Sequence, residues 1–103
     1  MNLPENVKNE IIYVIVKNEN PLKIILFGSY AYGNPNENSD IDLLIIKEKV
    51  KSKMKEAVKV RRLLDLNFAF DILVTAPEEF EFYKNECGSI YKEIYDKGKV
   101  IYG

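Results

Sequence analysis

Three short apolar runs set the terms for this chain, and two of them carry aspartate where an apolar residue would be expected. The runs are Ile24-Ile25-Leu26-Phe27, then about Asp40 to Ile46 with Asp40 opening it and Asp42 inside it, then Phe68 to Val74 with Asp71 as its sole charge. Each is too short for a buried helix, rich in β-branched or aromatic residues and bounded by turn formers, so each reads as a strand. Strand side chains alternate between faces, so Asp40 and Asp42, two apart, project from the same side. If the Asp71 strand lies beside the Asp40 strand, three carboxylates converge.

Helical spacing fills the intervals. Pro4 suits a first-turn position, and Val7, Ile11, Val14 and Ile15 recur at helical period until Asn18-Glu19-Asn20-Pro21 ends the element. Gly28 to Ser39 reads as a turn, with room for one helical turn, and then a polar loop. Lys51 to Asp65 reads as a helix with Met54, Ala57, Val58 and Leu64 on or near one face. Thr75-Ala76-Pro77-Glu78 resembles a capping signal that opens a helix through Phe80 and Tyr83, broken by Gly88. Ser89 is expected to cap a last helix carrying Ile90 and Ile94, which Gly98 ends, and Val100-Ile101-Tyr102 to add a short edge strand. The sum is an α/β (α+β) chain, a small mixed sheet flanked by helices.

What the sequence lacks narrows the chemistry. None of the 103 residues is histidine and only Cys87 is cysteine. Ser-His-Asp and Cys-His hydrolysis, His-ligated or thiolate zinc and imidazole acid–base catalysis all fall away, as does an internal disulfide. Catalysis must run on carboxylates, hydroxyls, Lys or Arg, and any metal should be a hard ion with oxygen ligands. A formal net charge of −1 creates no strong field pointing to nucleic acid or a membrane surface. The opening residues lack the basic-then-apolar pattern of a secretory signal, and no apolar run approaches the ~20 residues of a membrane span. We expect one domain over residues 1–103, in the cytoplasm.

Paired carboxylates in a poorly solvated place repel, and each resists ionising unless a cation stands between them. Mg²⁺ answers that need, typically through one or two carboxylates plus substrate phosphates. Three such groups can hold two metal ions ~3.5–4 Å apart, the arrangement that clamps the attacking and leaving oxygens of phosphoryl transfer. Gly28-Ser29 directly after a strand adds a place where backbone can approach a phosphate closely, with the Ser29 N–H and hydroxyl as donors.

Blander readings stand beside these. Taken alone, Gly28-Ser29 reads more readily as a plain turn, and Asp40-x-Asp42 as a solvated strand start or cap. Asp71 has an alternative as the partner of Arg61 or Arg62 in a salt bridge. The Lys- and Arg-rich middle helix reads as a solvated face, with an RNA or acidic partner as the sharper option. Phe80, Phe82 and Tyr83 cannot all face one way, so one should be exposed. Cys87 reads as a small core residue.

Taken together, Phe27-Gly28-Ser29 followed by Ser39-Asp40-Ile41-Asp42-Leu43-Leu44 resembles the signature of the polymerase-β nucleotidyltransferase superfamily, and most closely its minimal nucleotidyltransferases. Phe70-Asp71-Ile72-Leu73-Val74 is similar to that family's third-carboxylate strand, and the stretch from Ser89 to Tyr102 resembles its usual close. The resemblance implies transfer of a nucleoside monophosphate with release of pyrophosphate. It assigns Asp40, Asp42 and Asp71 to metal and catalysis, with Asp71 also helping to activate an acceptor hydroxyl, and Gly28 and Ser29 to the triphosphate. Many members carry Arg in the turn after Gly-Ser; this chain has Tyr30-Ala31-Tyr32-Gly33. The charge on the phosphates must then be offset elsewhere, and Lys47 or an Arg from a partner are the candidates. Tyr30 and Tyr32 would stack on a base, form a partner surface or pack against the sheet.

By the same resemblance the expected reaction uses two Mg²⁺ ions and moves AMP from ATP to a hydroxyl on a protein. Related domains are often the antitoxin half of a pair with a helical HEPN-type ribonuclease and modify a tyrosine on that toxin. Two other functions compete: a non-catalytic binding module that neutralises or scaffolds a partner, and an RNA-binding accessory subunit suggested by the basic helix alone. Association with further copies of the chain is a further possibility.

Overall fold

The computed structural model describes residues 3–64 and 66–103, and among these it contains four strands and five helices. The first helix, α1 (Glu5–Glu19), follows Pro4 and presents Val7, Ile11, Ile15 and Glu19 inward at four-residue intervals. It ends where Asn20 takes a left-handed conformation, φ 47°, which Asn tolerates better than most residues. Strand β1 (Lys23–Phe27) leads through Gly28 into the single turn of α2 (Ser29–Tyr32). After a polar loop comes β2 (Ile41–Ile46), then α3 (Lys53–Leu63), whose Ser52 cap accepts a hydrogen bond from the Lys55 N–H. Next are β3 (Phe70–Thr75), α4 (Pro77–Tyr83), α5 (Ile90–Lys97) and the edge strand β4 (Lys99–Tyr102).

The strands form one mixed sheet in the order β3-β2-β1-β4. β1 is antiparallel to both β2 and β4, while β2 and β3 are parallel. A parallel pair needs a crossover, and α3 supplies it. One face of the sheet packs Ile24, Leu26, Ile41, Leu43, Ile45, Phe70, Ile72 and Val74 against α1 and α3. The other packs Ile25, Phe27, Leu44 and Ile46 against Phe80 of α4 and Ile94 of α5. The strands are therefore apolar on both faces, which is why their sequences read as continuous runs rather than alternations. Among the described residues no helix is long and apolar enough to cross a membrane.

Several expectations need correction. Met54 is 78% exposed; α3 seats Val60 in the core instead, with Leu64 just beyond its end. The expected end of that helix at Asp65 lies outside the described residues. Thr75 does not cap α4. It is the fully buried last residue of β3, and its hydroxyl donates to Glu79 Oε1 at 2.6 Å from one turn away. α4 stops at Tyr83, well short of Gly88. Cys87 is exposed, in the turn-rich link between α4 and α5 where there is no core to join. Phe80 is buried while Phe82 and Tyr83 are exposed, as the mixed facing of that cluster required.

Candidate active site

Both aspartates of the strands lie on the α4–α5 face, at the end those helices leave open. Asp42 alternates with Leu44 and Ile46, and Asp71 with Leu73, so each shares its face with residues of the second core. In the parallel register Asp42 stands directly beside Asp71, a strand separation of about 4.8 Å. Asp40 precedes β2 by one residue and is exposed, Asp42 is half-buried, and Asp71 is exposed. Asp71 thus sits within the sheet without being buried, because its end of the α4–α5 face is uncovered.

β1 delivers the turn to the same place. Phe27 pairs with Asp42, and Gly28 follows with φ 72° and ψ −155°, a region essentially closed to residues with a Cβ. A Cβ at Gly28 would lie 2.0 Å from Asp42 Oδ2. Glycine is therefore required twice over, by the backbone angle and by the carboxylate lying against it. Ser29 opens α2 and is half-exposed beside this contact.

The electrostatics are one-sided. The Asp42 carboxyl is pushed up to about 6, first by burial, then by repulsion from Asp71 and Asp40. Among the described residues none of the three aspartates enters an ion pair, so the alternative partnership of Asp71 with Arg61 or Arg62 is not formed. Nor do three acidic, His or Cys side chains among these residues stand close enough to cage a metal unaided. A hard cation nonetheless fits the donor set: anionic oxygens that repel one another, adjacent in register and open on one side where substrate oxygens could complete the coordination.

Lys47 cannot serve the phosphates. It lies five residues beyond Asp42 on the β2 path, about 16 Å at strand rise, and its amine is held by Glu19 and Glu56. Tyr30 is buried and meets Phe68 edge-on at 6.4 Å, so it packs and cannot stack on a base. Tyr32 is exposed enough to matter. Its hydroxyl donates to Glu93 Oε2 on α5, and its pKa is raised by burial and by that bond. Tyr91, also on α5, lines a groove of about 300 Å³ with Asp71, Arg61 and Met54. A larger groove of about 390 Å³ opens under α4 and α5, and none of the three aspartates lines it. Sequence reasoning missed that α5 borders the site through Glu93 and Tyr91; its helical period was visible, its place beside the open sheet end was not.

A mixed sheet carrying Gly-Ser at the end of one strand and aspartates at the start of the next two defines a nucleotidyltransferase. The chain belongs to the polymerase β nucleotidyltransferase family, whose profile, described as Polymerase beta, Nucleotidyltransferase, matches residues 9–103. It is 35% identical over 80 residues to a protein of Methanocaldococcus jannaschii provisionally named a protein adenylyltransferase, spanning 78% of this chain and 77% of that one. Two solved structures share the fold. A toxin-antitoxin crystal structure with AMP-PNP has a TM-score of 0.64 at 24% identity, covering 93% of this chain and 73% of that one. The MntA-HepT toxin-antitoxin structure has a TM-score of 0.60 at 21% identity, covering 97% and 73%.

Proposed function

We propose that the chain transfers AMP from Mg·ATP to a hydroxyl on a partner protein, with residues 1–103 working as one nucleotidyltransferase domain. The observation that carries this is the register of Asp42 beside Asp71, paired with no side-chain cation among the described residues, with Asp42 lying against Gly28. Asp40 and Asp42 are the residues that would hold Mg²⁺, with Asp71 completing the set. The bound metal would neutralise charge on the triphosphate and on the transition state. Gly28 leaves room for phosphate oxygens to approach the backbone, and Ser29 donates to them. The acceptor oxygen attacks the α-phosphorus, the bond from that phosphorus to the α–β bridging oxygen breaks, and pyrophosphate leaves with the electron pair. Asp71, open to the groove it lines, takes the acceptor proton.

The name of the M. jannaschii relative supports a protein acceptor, and the AMP-PNP complex supports an adenine nucleotide. The toxin-antitoxin neighbours support a small helical HEPN-type partner bearing the acceptor, a tyrosine by family resemblance. The cytoplasm, where ATP and Mg²⁺ are supplied, is the setting for that chemistry. One observation favours the alternative of a non-catalytic binding module: the turn Tyr30-Ala31-Tyr32-Gly33 carries no cation for the phosphates.

Calorimetric titration with ATP should show binding with Mg²⁺ and none in EDTA, because the carboxylates repel a bare triphosphate. Radiolabelled ATP should label a cognate partner when wild-type chain is mixed in, and Asp40→Asn should abolish the label. Partner binding without labelling, with Asp40→Asn neutralising the partner as well as wild type, would establish the binding module instead.

A further inference from the structure

The Gly28–Gly33 turn lacks a cation of its own, yet the fold brings one to it from the other end of the chain. α5 lies on the same sheet face as Asp42 and Asp71. Its last residue is Lys97, and the cap that follows, Gly98, packs so tightly on β1 that a Cβ there would lie 2.7 Å from Ile25 Cγ2 and 2.5 Å from the Ile94 carbonyl. β4 then runs antiparallel to β1 with Lys99 opposite Leu26. Continued backwards, that register brings Gly98 and Lys97 toward Phe27 and Gly28, at the sheet end where the triphosphate turn begins. The side chains agree with the backbone. Lys97 Nζ lies 5.6 Å from the centroid of the Tyr32 ring, in cation–π range. The same Tyr32 ties α2 to α5 through Glu93, fixing the turn and the end of α5 relative to each other.

Several of the chain's other cations near the sheet differ in kind, and Arg61, which also enters no ion pair among the described residues, lines the Asp71 groove, whose lining includes no residue of the Gly28–Gly33 turn. Lys47 and Lys59 are paired with Glu19, and Lys53 with Glu79. Lys99 pairs in register with Leu26, a residue of the α1–α3 core, and so belongs to the opposite face from Asp42. Lys97 enters no ion pair among the described residues. Its ammonium, on a flexible four-carbon stem, is a mobile point charge resting on an aromatic ring, suited to moving onto a phosphate when one arrives.

We propose that Lys97 is the phosphate-binding cation of this site, standing in from α5 for the arginine missing from the turn and engaging the terminal phosphates of the nucleotide. The assignment rests on the nucleotidyltransferase reading above and adds to it the residue that neutralises the triphosphate tail. Because Lys97 ends α5 while Gly28 and Ser29 follow β1, phosphate would bridge the two and hold α5 against the turn.

The test titrates Mg·ATP and magnesium tripolyphosphate into wild-type chain, Lys97→Ala, Lys97→Arg, Lys99→Ala and Asp42→Asn, each first checked for a native melting transition. Lys97→Ala should weaken both ligands about tenfold, the scale of one charged contact to phosphate. It should also flatten the dependence of affinity on salt. Lys97→Arg should bind within about threefold of wild type, and Lys99→Ala should match wild type. If Lys97→Ala binds as wild type does while Asp42→Asn fails to bind, the metal site stands and Lys97 is not part of it. Equal weakening by Lys97→Ala and Lys99→Ala would replace a specific contact with a general surface field and overturn the assignment. Should wild-type chain bind neither ligand, the nucleotide reading and the role of Lys97 fall together.

Discussion

Strand β2 has charge gathered at both of its ends, and the two ends handle it in opposite ways. At its start, Asp42 stands beside Asp71 and is repelled by it and by Asp40, with no cation paired to any of the three among the described residues. Just past its finish, Glu19 is buried, yet Lys47 lies 2.9 Å from its Oε1 and Lys59 3.0 Å from its Oε2. Glu56 joins that cluster by holding Lys47 and by accepting the N–H groups of Lys51 and Ser52 at 2.9 and 3.0 Å. Burial alone would lower the Lys47 pKa and raise that of Glu56. The hydrogen bonds between them prevail, holding Lys47 above its ordinary value and Glu56 below. At the open end nothing opposes burial and repulsion, and Asp42 rises. Compensated charge completes a fold; uncompensated charge waits for a ligand. The contrast locates the site better than burial does, since the most buried carboxylate of the two clusters, Glu19, is the structural one.

The largest effect should come from breaking the compensated end. Lys47→Met keeps the apolar stem and removes the amine, leaving buried Glu19 with Lys59 alone. We expect a loss of about 2–4 kcal/mol in urea denaturation, near the low side of what a broken buried pair costs. Glu19→Gln with Lys47→Met should be much less destabilising than the sum of the single changes, since the pair falls together. Affinity for Mg·ATP should not move, because the cluster lies about a strand length from Asp42. A Lys47→Met protein that keeps its stability but loses nucleotide would return Lys47 to the phosphates and dissolve the comparison.

At the uncompensated end, neutral donors should matter in binding and not in folding. Ser29→Ala should weaken Mg·ATP by about 1–2 kcal/mol, one hydrogen bond to a charged group, while its melting curve overlays wild type. Unchanged affinity would make Gly28-Ser29 a turn and nothing more.

Much of this was legible in the sequence, and for local reasons. The strands announced themselves because both sheet faces are covered, so their apolar runs were unbroken except where aspartate stands. Asp42 and Asp71 were separable from ordinary polar residues by that interruption, and parallel pairing of β2 with β3 then set them side by side. Ser89 and Gly98 read as the caps of α5 because capping is decided within a few residues. What escaped depends on contacts between distant segments. Lys47 looked available until Glu19, 28 residues earlier, proved to be its partner. Thr75 carries the letters of a cap, but pairing with Ile46 draws it into β3, and its hydroxyl reaches Glu79 from inside the sheet. Glu93 and Lys97 gave no signal of their own, since their meaning comes only from α5 lying against Tyr32.

The smallest effect is the sharpest test, because it should run opposite to the usual direction of mutation. Asp42→Asn keeps the shape that packs against Gly28 and removes one of three repelling charges. Asp42 titrates near 6 in the fold against an ordinary value of 3.8. A carboxyl raised on folding favours the native state while protonated. That contribution is complete below about pH 4 and is lost as pH rises through 6. Metal-free wild-type chain should therefore fall behind Asp42→Asn between pH 4 and pH 7. A shift of this size would be worth near 3 kcal/mol for a fully buried group, but Asp42 is half-exposed, and screening by water reduces the expected gap to about 0.5–1.5 kcal/mol at neutral pH. For a domain of this size that is a melting difference of roughly 2–12 °C. The far cluster supplies the control: Glu56 is held below its ordinary value, so its contribution is present above pH 4.5 and fades under more acid conditions, equally in both proteins. Adding Mg²⁺ with a non-hydrolysable ATP analogue should then reverse the order, raising wild type and leaving Asp42→Asn where it was. If Asp42→Asn melts lower than wild type across the whole pH range without metal, Asp42 is a structural partner like Glu19, and the distinction between the two ends of β2 fails.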